Sequence, residues 1–326
     1  MIEVEHLHKH YRVHVREPGF AASLRSVFRR KYDTVKAVDD IGFSISEGEI
    51  VGFLGPNGAG KTTTMKVLTG LLHPTSGRVS VAGFIPQRHE NAFKRRVSLI
   101  MGQKSQLIWD VPAMETFLVN KAIYELDDRT FKGQLADLAD LLELDGLLNK
   151  PVRQLSLGER MKCELVAALL HKPDIVFLDE PTIGLDVNMQ EALRAFIGEY
   201  NRSFRATILL TSHYMADVTA LCERVMVINH GHLIYDGGIA RLVERFSAYK
   251  RITLLLDRHV DAEEIAAHAG EGSVLVDYRY PKVELDVKRD EVSEVSARLL
   301  SGLPVRDLTI AEPSMESVVS RAFSTA

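Results

Sequence analysis

Short apolar runs alternate with amphipathic helical stretches along the first 240 residues, a pattern typical of an α/β domain around a partly parallel sheet. Residues 49–54 and 174–178 are nearly uninterrupted apolar segments, as expected for strands that are covered on both faces. Residues 206–211 and 224–228 predict two further strands, each after a helical segment. These four runs therefore predict the core of one α/β sheet.

Two other regions of the chain have a different pattern. Residues 114–172 are rich in Leu, Ala, Glu and Lys at helical spacing, which predicts a helical subdomain of roughly residues 104–172 inserted into a first domain of residues 1–240. Residues 241–326 are expected to form a small α+β accessory domain of the ferredoxin-like β-α-β-β-α-β type with one added helix. Its predicted elements are strand 251–256, helix 261–269, strands 273–278 and 282–287, helix 290–300, strand 305–310 and helix 313–323.

Composition and charge narrow the class of protein. With 40 Lys+Arg and 44 Asp+Glu, the net charge of −4 argues against a protein whose whole surface binds nucleic acid. The two cysteines cannot form a disulfide framework and residues 1–11 are too charged for a signal peptide, so a reducing interior is expected. No apolar run approaches the ~18 residues needed to span a bilayer. Any membrane role is therefore expected to act from outside the bilayer or through a partner.

A glycine-rich segment follows the first apolar run and directly precedes a helical stretch. It fits the pattern G-x-x-x-x-G-K-[ST] with Gly55, Pro56, Asn57, Gly58, Ala59, Gly60, Lys61 and Thr62. Glycines allow consecutive backbone N–H groups to turn towards one point, and a helix N-terminus adds positive potential there. Lys61 can then meet the β and γ phosphates, and the Thr62 hydroxyl can ligate Mg²⁺. The segment predicts a nucleoside triphosphate site, with an ordinary glycine-rich turn as the alternative.

Two acids, Asp179 and Glu180, end the second apolar run. In P-loop enzymes an Asp at such a place holds Mg²⁺ through water, and an adjacent Glu can take a proton from the attacking water. On its own, the pair also fits a solvated strand terminus or a helix cap. The phosphate loop upstream favours the catalytic interpretation.

A third segment opens a helix before the acid pair and consists of Leu155, Ser156, Leu157, Gly158 and Glu159. The ordered set resembles the nucleotide-binding subunit of ABC transporters, a P-loop ATPase cassette, over about residues 1–240. Further residues fall in the order of that family, namely Tyr11, Gln103, residues 181–186 and His213. Residues 103–110 and the long N-terminal arm look like those of bacterial exporter-type ATPases that serve separately encoded permeases.

The resemblance implies which residues hold the nucleotide and the metal. Tyr11 would stack on adenine, with a partly buried strand-end tyrosine as the alternative. Thr62, Gln103 and Asp179 would hold Mg²⁺, and Gln103 would also connect the core with the helical subdomain. The phosphates of ATP would lie against the glycine-rich segment and the residue that follows it, Thr63.

The resemblance also implies catalytic roles. Lys61 would compensate phosphate charge, Glu180 would be the general base, and Gln103 would touch the attacking water. His213 would contact the γ-phosphate and hold that water, whereas a lone histidine after a strand is otherwise a surface residue. These four residues are the catalytic candidates.

A second cassette is implied as well. Ser156, Gly158 and Glu159 would form an anion site at a helix N-terminus, which in the family closes over the nucleotide of the opposite subunit. Asp186 would lie at the dimer seam. Each chain would then hold half of each active site, in a homodimer or with a close paralogue. Leu157 replaces the usual Gly and Glu159 the usual Gln, and a glutamate near phosphates is expected to weaken their attraction.

Residues 12–36 form a basic arm. The pattern of Phe20, Leu24, Val27 and Phe28 predicts an amphipathic helix, which either contacts anionic lipid weakly or packs on its own domain with a solvated basic face. Trp109, the only tryptophan, lies in the region where the family meets its permease, and a core aromatic is the alternative.

The C-terminal domain carries twelve basic and fifteen acidic residues and has no Cys/His cluster with metal-ligand spacing, so neither a nucleic-acid tail nor a metal site is expected. A regulatory or dimer-stabilising role and a purely structural one both remain open.

The sequence as a whole predicts an ATP-hydrolysing subunit that powers a membrane transporter, with export preferred over import. We expect it at the cytoplasmic face of the cell membrane, bound peripherally to integral membrane permease subunits, with no nucleic-acid partner. One alternative is a non-transport ABC ATPase acting on DNA or the ribosome, which usually has a very long coiled coil or two cassettes in one chain. A P-loop kinase or small GTPase would not explain residues 155–159 and His213 in this order.

Overall fold

The computed structural model describes residues 1–14, 32–102, 104–144, 146–246, 249–312 and 315–324. Within them the chain forms two compact units, Met1–Gly237 and Gly238–Ala326, each with its own hydrophobic core. No helix in these ranges combines the length and the apolar character that crossing a membrane requires.

The first unit combines strands with the helices that connect them. The strands are β1 (Ile2–His14), β2 (Tyr32–Ile45), β3 (Ile50–Leu54), β4 (Ser76–Val81), β5 (Val97–Met101), β6 (Ile175–Asp179), β7 (Thr207–Thr211), β8 (Arg224–Asn229) and β9 (His232–Gly238). The helices are α1 (Lys61–Leu68), α2 (Asn91–Lys94), α3 (Ala113–Ile123), α4 (Asp128–Leu142), α5 (Leu157–Leu169), α6 (Val187–Phe204) and α7 (Met215–Leu221), with short 3₁₀ turns at Pro86–Arg88 and Val152–Gln154.

A six-stranded sheet in the order β5-β6-β7-β3-β8-β9 forms the centre of the first unit. Strand β3 pairs in parallel with β7 and β8, and β6 pairs in parallel with β5 and β7. The four predicted strands are confirmed, because adjacent side chains such as Phe177 and Leu178, which point to opposite faces of this sheet, are both buried. Parallel pairing also brings the carboxyl ends of β3, β6 and β7 to one edge of the sheet.

A second sheet, antiparallel and in the order β2-β1-β4, was not predicted. The ends of the basic arm lie in it: Arg12 pairs with Thr34, and His14 pairs with Tyr32. The two ends of the arm, at Arg12 and Lys36, are therefore strands, and the helix expected from the apolar residues between them stays a prediction. Its apolar residues Phe20, Leu24, Val27 and Phe28 lie outside the described residues.

Helices α3, α4 and α5 follow one another between β5 and β6, as the helical spacing of 114–172 predicted. The interpretation of Trp109 as a core aromatic is wrong, since 50% of the residue is exposed and the Arg160 guanidinium lies 5.7 Å from the centroid of its ring. The apolar side chains Ile108 and Ile123 are exposed in the same region.

The second unit is a four-stranded antiparallel sheet with helices. Its elements are α8 (Ile239–Phe246), β10 (Tyr249–Leu256), α9 (Ala262–Ala269), β11 (Ser273–Arg279), β12 (Lys282–Lys288), α10 (Val292–Gly302), β13 (Val305–Ala311) and α11 (Met315–Ser324). The strand order β11-β12-β10-β13 is that of the predicted ferredoxin-like unit. Alternate residues such as Ile252 and Leu285 form a core with Ile265 and Leu299 from the helices, which explains the period-two pattern of these strands.

Candidate functional site

The phosphate loop connects β3 to α1 at the edge where the parallel strands end. Gly60 caps α1 with φ 111°, and a Cβ at this position would lie 2.4 Å from the Ala37 carbonyl oxygen. Only glycine fits such a backbone, so the second glycine of the motif is fixed by close packing as well as by conformation. Thr62 and Thr63 follow in the first turn of the helix.

Lys61 is buried within this loop. Its Nζ donates to the carbonyl oxygens of Gly55 at 2.6 Å and Pro56 at 3.1 Å. Burial lowers the pKa of Lys61, and the nearby charges of Glu180 and Asp179 partly oppose that shift. The loop therefore holds a desolvated ammonium group that an anionic phosphate would compensate.

Hydroxyl oxygens from two threonines meet the Asp179 carboxylate beside the phosphate loop. The Thr62 hydroxyl donates to Oδ2 of Asp179 at 2.9 Å, and the Thr211 hydroxyl donates to Oδ1 of the same carboxylate at 2.7 Å. Thr62 and Asp179 border a cavity of about 230 Å³, which is also lined by Lys66, Met101, Lys104 and Glu180. One carboxylate and one hydroxyl suit Mg²⁺, which usually completes its shell with water and substrate phosphates. In the described part of the chain, no group of three His, Cys, Asp or Glu side chains could hold a metal alone.

Glu180 lies next to Asp179 in an uncommon backbone conformation, with φ 55°. Its N–H is 3.1 Å from both the carbonyl and the hydroxyl oxygen of Thr211. Gly102 packs against it so closely that a Cβ there would be 2.1 Å from the Glu180 carbonyl oxygen. Neighbouring strands therefore fix the strained residue, as is common at functional sites.

His213 follows β7, and its Nε2 lies 2.7 Å from Oε1 of Glu180. The structure thus joins Lys61, Asp179, Glu180 and His213, which come from three separate segments of the chain. A carboxylate paired with an imidazole can hold a water molecule and accept its proton.

The segment with Ser156 forms the N-terminus of α5. The Ser156 hydroxyl accepts from the Glu159 N–H at 3.2 Å, and the Glu159 carboxylate accepts from the Ser156 N–H at 2.8 Å. These hydrogen bonds lower the pKa of Glu159, whose carboxylate folds back on its own helix. The pattern S-x-x-E of Ser156 and Glu159 is typical of such a capping box and would have predicted it from the sequence. Gly158 packs against Met189 of α6.

Three other candidates have different surroundings. Tyr11 is half-buried on β1, with the Lys9 ammonium 5.0 Å from its ring centroid. Asp186 caps α6 by accepting from the Met189 N–H at 2.9 Å. Gln103 lies outside the described residues.

Sequence reasoning missed a buried network behind the site. Asp217 is 1% exposed and accepts from the hydroxyls of Thr182 and Ser212, each at 2.6 Å. Arg194 donates to it at 2.8 Å. Since Thr182 follows Glu180 and Ser212 precedes His213, this carboxylate fixes the two loops that form the Glu180–His213 pair.

Comparison with known proteins places this geometry in a family. Residues 38–183 match the family model of the ABC transporter, and residues 248–311 match that of the EvrA-like ABC transporter C-terminal domain. The chain is 37% identical over 217 residues to the ABC transporter ATP-binding protein NatA of Bacillus subtilis (strain 168), covering 67% of this chain and 88% of that protein. It is 30% identical over 254 residues to the bacitracin transport ATP-binding protein BcrA of Bacillus licheniformis, covering 73% and 79%.

Solved structures show the same fold. The ATP-binding subunit of an ABC transporter superposes with a TM-score of 0.61 at 24% identity, covering 75% of this chain and 92% of that one. A dimeric ATP-binding cassette in a post-hydrolysis state bound to ADP and Pi gives a TM-score of 0.60 at 20% identity, covering 73% and 99%. As the motifs predicted, the chain belongs to the family of ABC transporter ATP-binding subunits and is an ABC-type ATPase.

Proposed function

We propose that this chain hydrolyses ATP as one half of a cassette dimer that drives an export permease from the cytoplasmic face of the membrane. The observation that carries the proposal is that Thr62, Asp179 and Glu180 line one cavity, with the Lys61 loop directly before Thr62 and with His213 paired to Glu180. A phosphate-binding loop, a metal ligand and a paired general base together provide the groups that ATP hydrolysis needs.

Each residue has a defined task in the proposed reaction. Lys61 exchanges its bonds to loop carbonyls for the β and γ phosphates. Thr62 and Asp179 would hold Mg²⁺, which would neutralise charge on those phosphates. Glu180 accepts a proton from the water whose oxygen bonds to the γ-phosphorus, and ADP leaves with the bridging oxygen as the bond between that oxygen and the γ-phosphorus breaks. His213 holds the Glu180 carboxylate and the water in line.

The exposed surface supports a cassette dimer. Leu157 at the start of α5 and Val187 at the start of α6 are apolar and exposed, although they flank Ser156 and Asp186. A second cassette placed over this surface would bury both side chains and bring its own nucleotide to Ser156. Tyr11, Gln103 and Asp186 keep their proposed roles at adenine, at Mg²⁺ and at the dimer seam.

Apolar residues of the helical region support a permease partner. Around α3 the exposed large apolar side chains are Ile108, Trp109, Leu118, Val119 and Ile123. Such a group usually marks a contact surface. Export is favoured over import because relatives include a Nod factor export ATP-binding protein of Burkholderia pseudomallei (strain K96243), 36% identical over 220 residues that cover 66% of this chain and 70% of that protein.

A pair of substitutions tests the proposal. Glu180→Gln should bind ATP normally and lose at least about a hundredfold in kcat, because the amide keeps the shape of the side chain but cannot accept the proton. Lys61→Ala should instead lose ATP binding, as measured by calorimetry. Glu191→Gln, an exposed glutamate on α6, is the matched control. Turnover of Glu180→Gln close to that of the wild type would contradict the proposal.

A further inference from the structure

A buried carboxylate on α5 holds the segment that follows Gln103. Glu164 is 4% exposed, and its two oxygens accept from the backbone N–H of Gln106 at 3.0 and 2.9 Å. The Ser105 hydroxyl donates to the same carboxylate. Both donors are neutral, so this buried charge is stabilised by hydrogen bonds that only a segment in this position can provide.

The same segment is connected to three other elements. The Gln106 side chain donates to the Leu99 carbonyl oxygen of β5 at 2.9 Å, and the Ile108 N–H donates to the Thr116 hydroxyl of α3 at 3.1 Å. At the end of the segment, the Trp109 carbonyl oxygen accepts a hydrogen bond from the Arg153 N–H at 3.1 Å. Because Arg160 also lies against the Trp109 ring, α5 contacts residues 105–109 at two successive turns.

We propose that Glu164 is a positioning residue that transmits movement of α5 to residues 105–109. The inference rests on the proposed function, in which Ser156 at the start of α5 meets the nucleotide of the second cassette. Glu164 lies about 12 Å further along the same helix axis. A helix moves as a rigid element, and a carboxylate bonded to backbone makes the attached segment move with it. Nucleotide binding at one end of α5 then changes the apolar surface around Trp109.

Trp109 itself provides the readout, because it is the only tryptophan and is half exposed. Its fluorescence emission and its quenching by acrylamide are measured with and without ATP and Mg²⁺, in the Glu180→Gln background so that nucleotide stays bound. The variants are Glu164→Ala, Glu164→Gln and Ser105→Ala, with Glu191→Gln as the control. Calorimetry gives the ATP affinity of each variant, and thermal unfolding checks its fold.

The expected result is a graded loss of response at unchanged ATP affinity. Glu164→Ala should lose the ATP-induced change of Trp109 emission almost completely. Glu164→Gln, which keeps an acceptor for the Gln106 N–H, should retain part of it. Ser105→Ala removes one donor without touching the carboxylate, so it should also be intermediate and remains informative if Glu164→Ala does not fold.

Two outcomes would overturn the inference and leave the proposed function intact. One is normal ATP binding by the Glu180→Gln protein without any change in the emission or quenching of Trp109. The other is a wild-type response in both Glu164 variants, even where their melting temperatures fall, since Glu164 would then be purely structural. Loss of ATP binding in the parent protein would contradict the proposed function, and this inference with it.

Discussion

His171 is a partly buried histidine whose environment favours the neutral ring. The ring stacks on Tyr124 with centroids 3.8 Å apart, its Nε2 lies 3.3 Å from the Val97 carbonyl oxygen, and its Nδ1 is buried without a partner among the described residues. Burial lowers the pKa of His171 to about 4. The imidazole therefore stays uncharged in the folded protein across the range in which an unfolded histidine titrates.

A pH dependence of stability follows from this residue. Below about pH 6.5 the unfolded chain takes up a proton that folded His171 does not bind, so stability is full above that pH and falls as the pH decreases towards 4. The loss over this window is on the order of 3 kcal/mol. His171→Phe keeps the stacking on Tyr124 and should reduce the acid sensitivity. Urea unfolding, followed by Trp109 emission at several pH values, measures the free energy of unfolding of both proteins. An equal dependence of that free energy on pH in the wild type and in His171→Phe would contradict the assignment.

Helix starts show how one side chain can serve both an element and a site. Ser156 caps α5, as Asp127 caps α4 by accepting from the N–H groups of Arg129 and Thr130. In the proposed dimer, the Ser156 hydroxyl also faces the phosphates of the opposite nucleotide. Stability and activity therefore place different demands on this position.

Two substitutions at Ser156 separate these demands. Ser156→Ala removes the cap and should lower the free energy of unfolding by about 1 kcal/mol. Ser156→Asp keeps a good cap and should leave stability nearly unchanged, whereas ATPase activity should fall strongly because a second carboxylate repels the phosphates. Denaturant unfolding and ATPase rates measure the two effects. Full activity of Ser156→Asp would show that the residue does not approach phosphate.

The whole molecule is proposed to act as a dimer with composite sites. Lys61→Ala and Ser156→Arg chains should each be inactive alone, since every site then lacks one of its halves. An equal mixture should regain at most about one quarter of the activity, because half of the dimers are mixed and each has one intact site. Mixing Lys61→Ala with Lys61→Met is the matched control and should stay inactive. A mixture as inactive as that control would refute composite sites.

The proposed attachment to the membrane also belongs to the whole molecule. His14 and Tyr32 are paired, so residues 15–31 can be replaced by Asn-Gly, a sequence that closes such hairpins. The replacement removes five basic residues, each worth up to ~1 kcal/mol near anionic lipid, and should reduce salt-sensitive binding to anionic liposomes. The protein with the replaced arm should still be recovered with membranes that contain the proposed permease. The double variant Trp109→Ser, Ile123→Ser should instead keep its binding to anionic liposomes and lose its recovery with those membranes. Release of the protein from those membranes by the arm replacement alone would show that the arm is the main anchor.

Elements whose pattern is local could be recognised from the order of amino acids alone. Strands buried on both faces must be apolar throughout, so the runs that became β3 and β6 could be recognised without a partner. The phosphate loop is equally local, because its glycines, Lys61 and Thr62 all lie within residues 55–62 and their spacing sets the geometry. The ferredoxin-like unit was predictable because alternation in strands such as β12 reports one buried face.

Features that depend on residues far apart in the chain became visible only in the folded protein. The sheet of β1, β2 and β4 has exposed, charged and irregularly paired strands, so no continuous alternation of apolar and polar residues marked it in the sequence. Glu164 looks like any glutamate on a helix until the fold brings the Gln106 N–H to it. Likewise, Asp217 gains its partners only when the loops with Thr182 and Ser212 meet helix α6, which carries Arg194. A buried polar group is defined by the donors that surround it, and no local pattern encodes those donors.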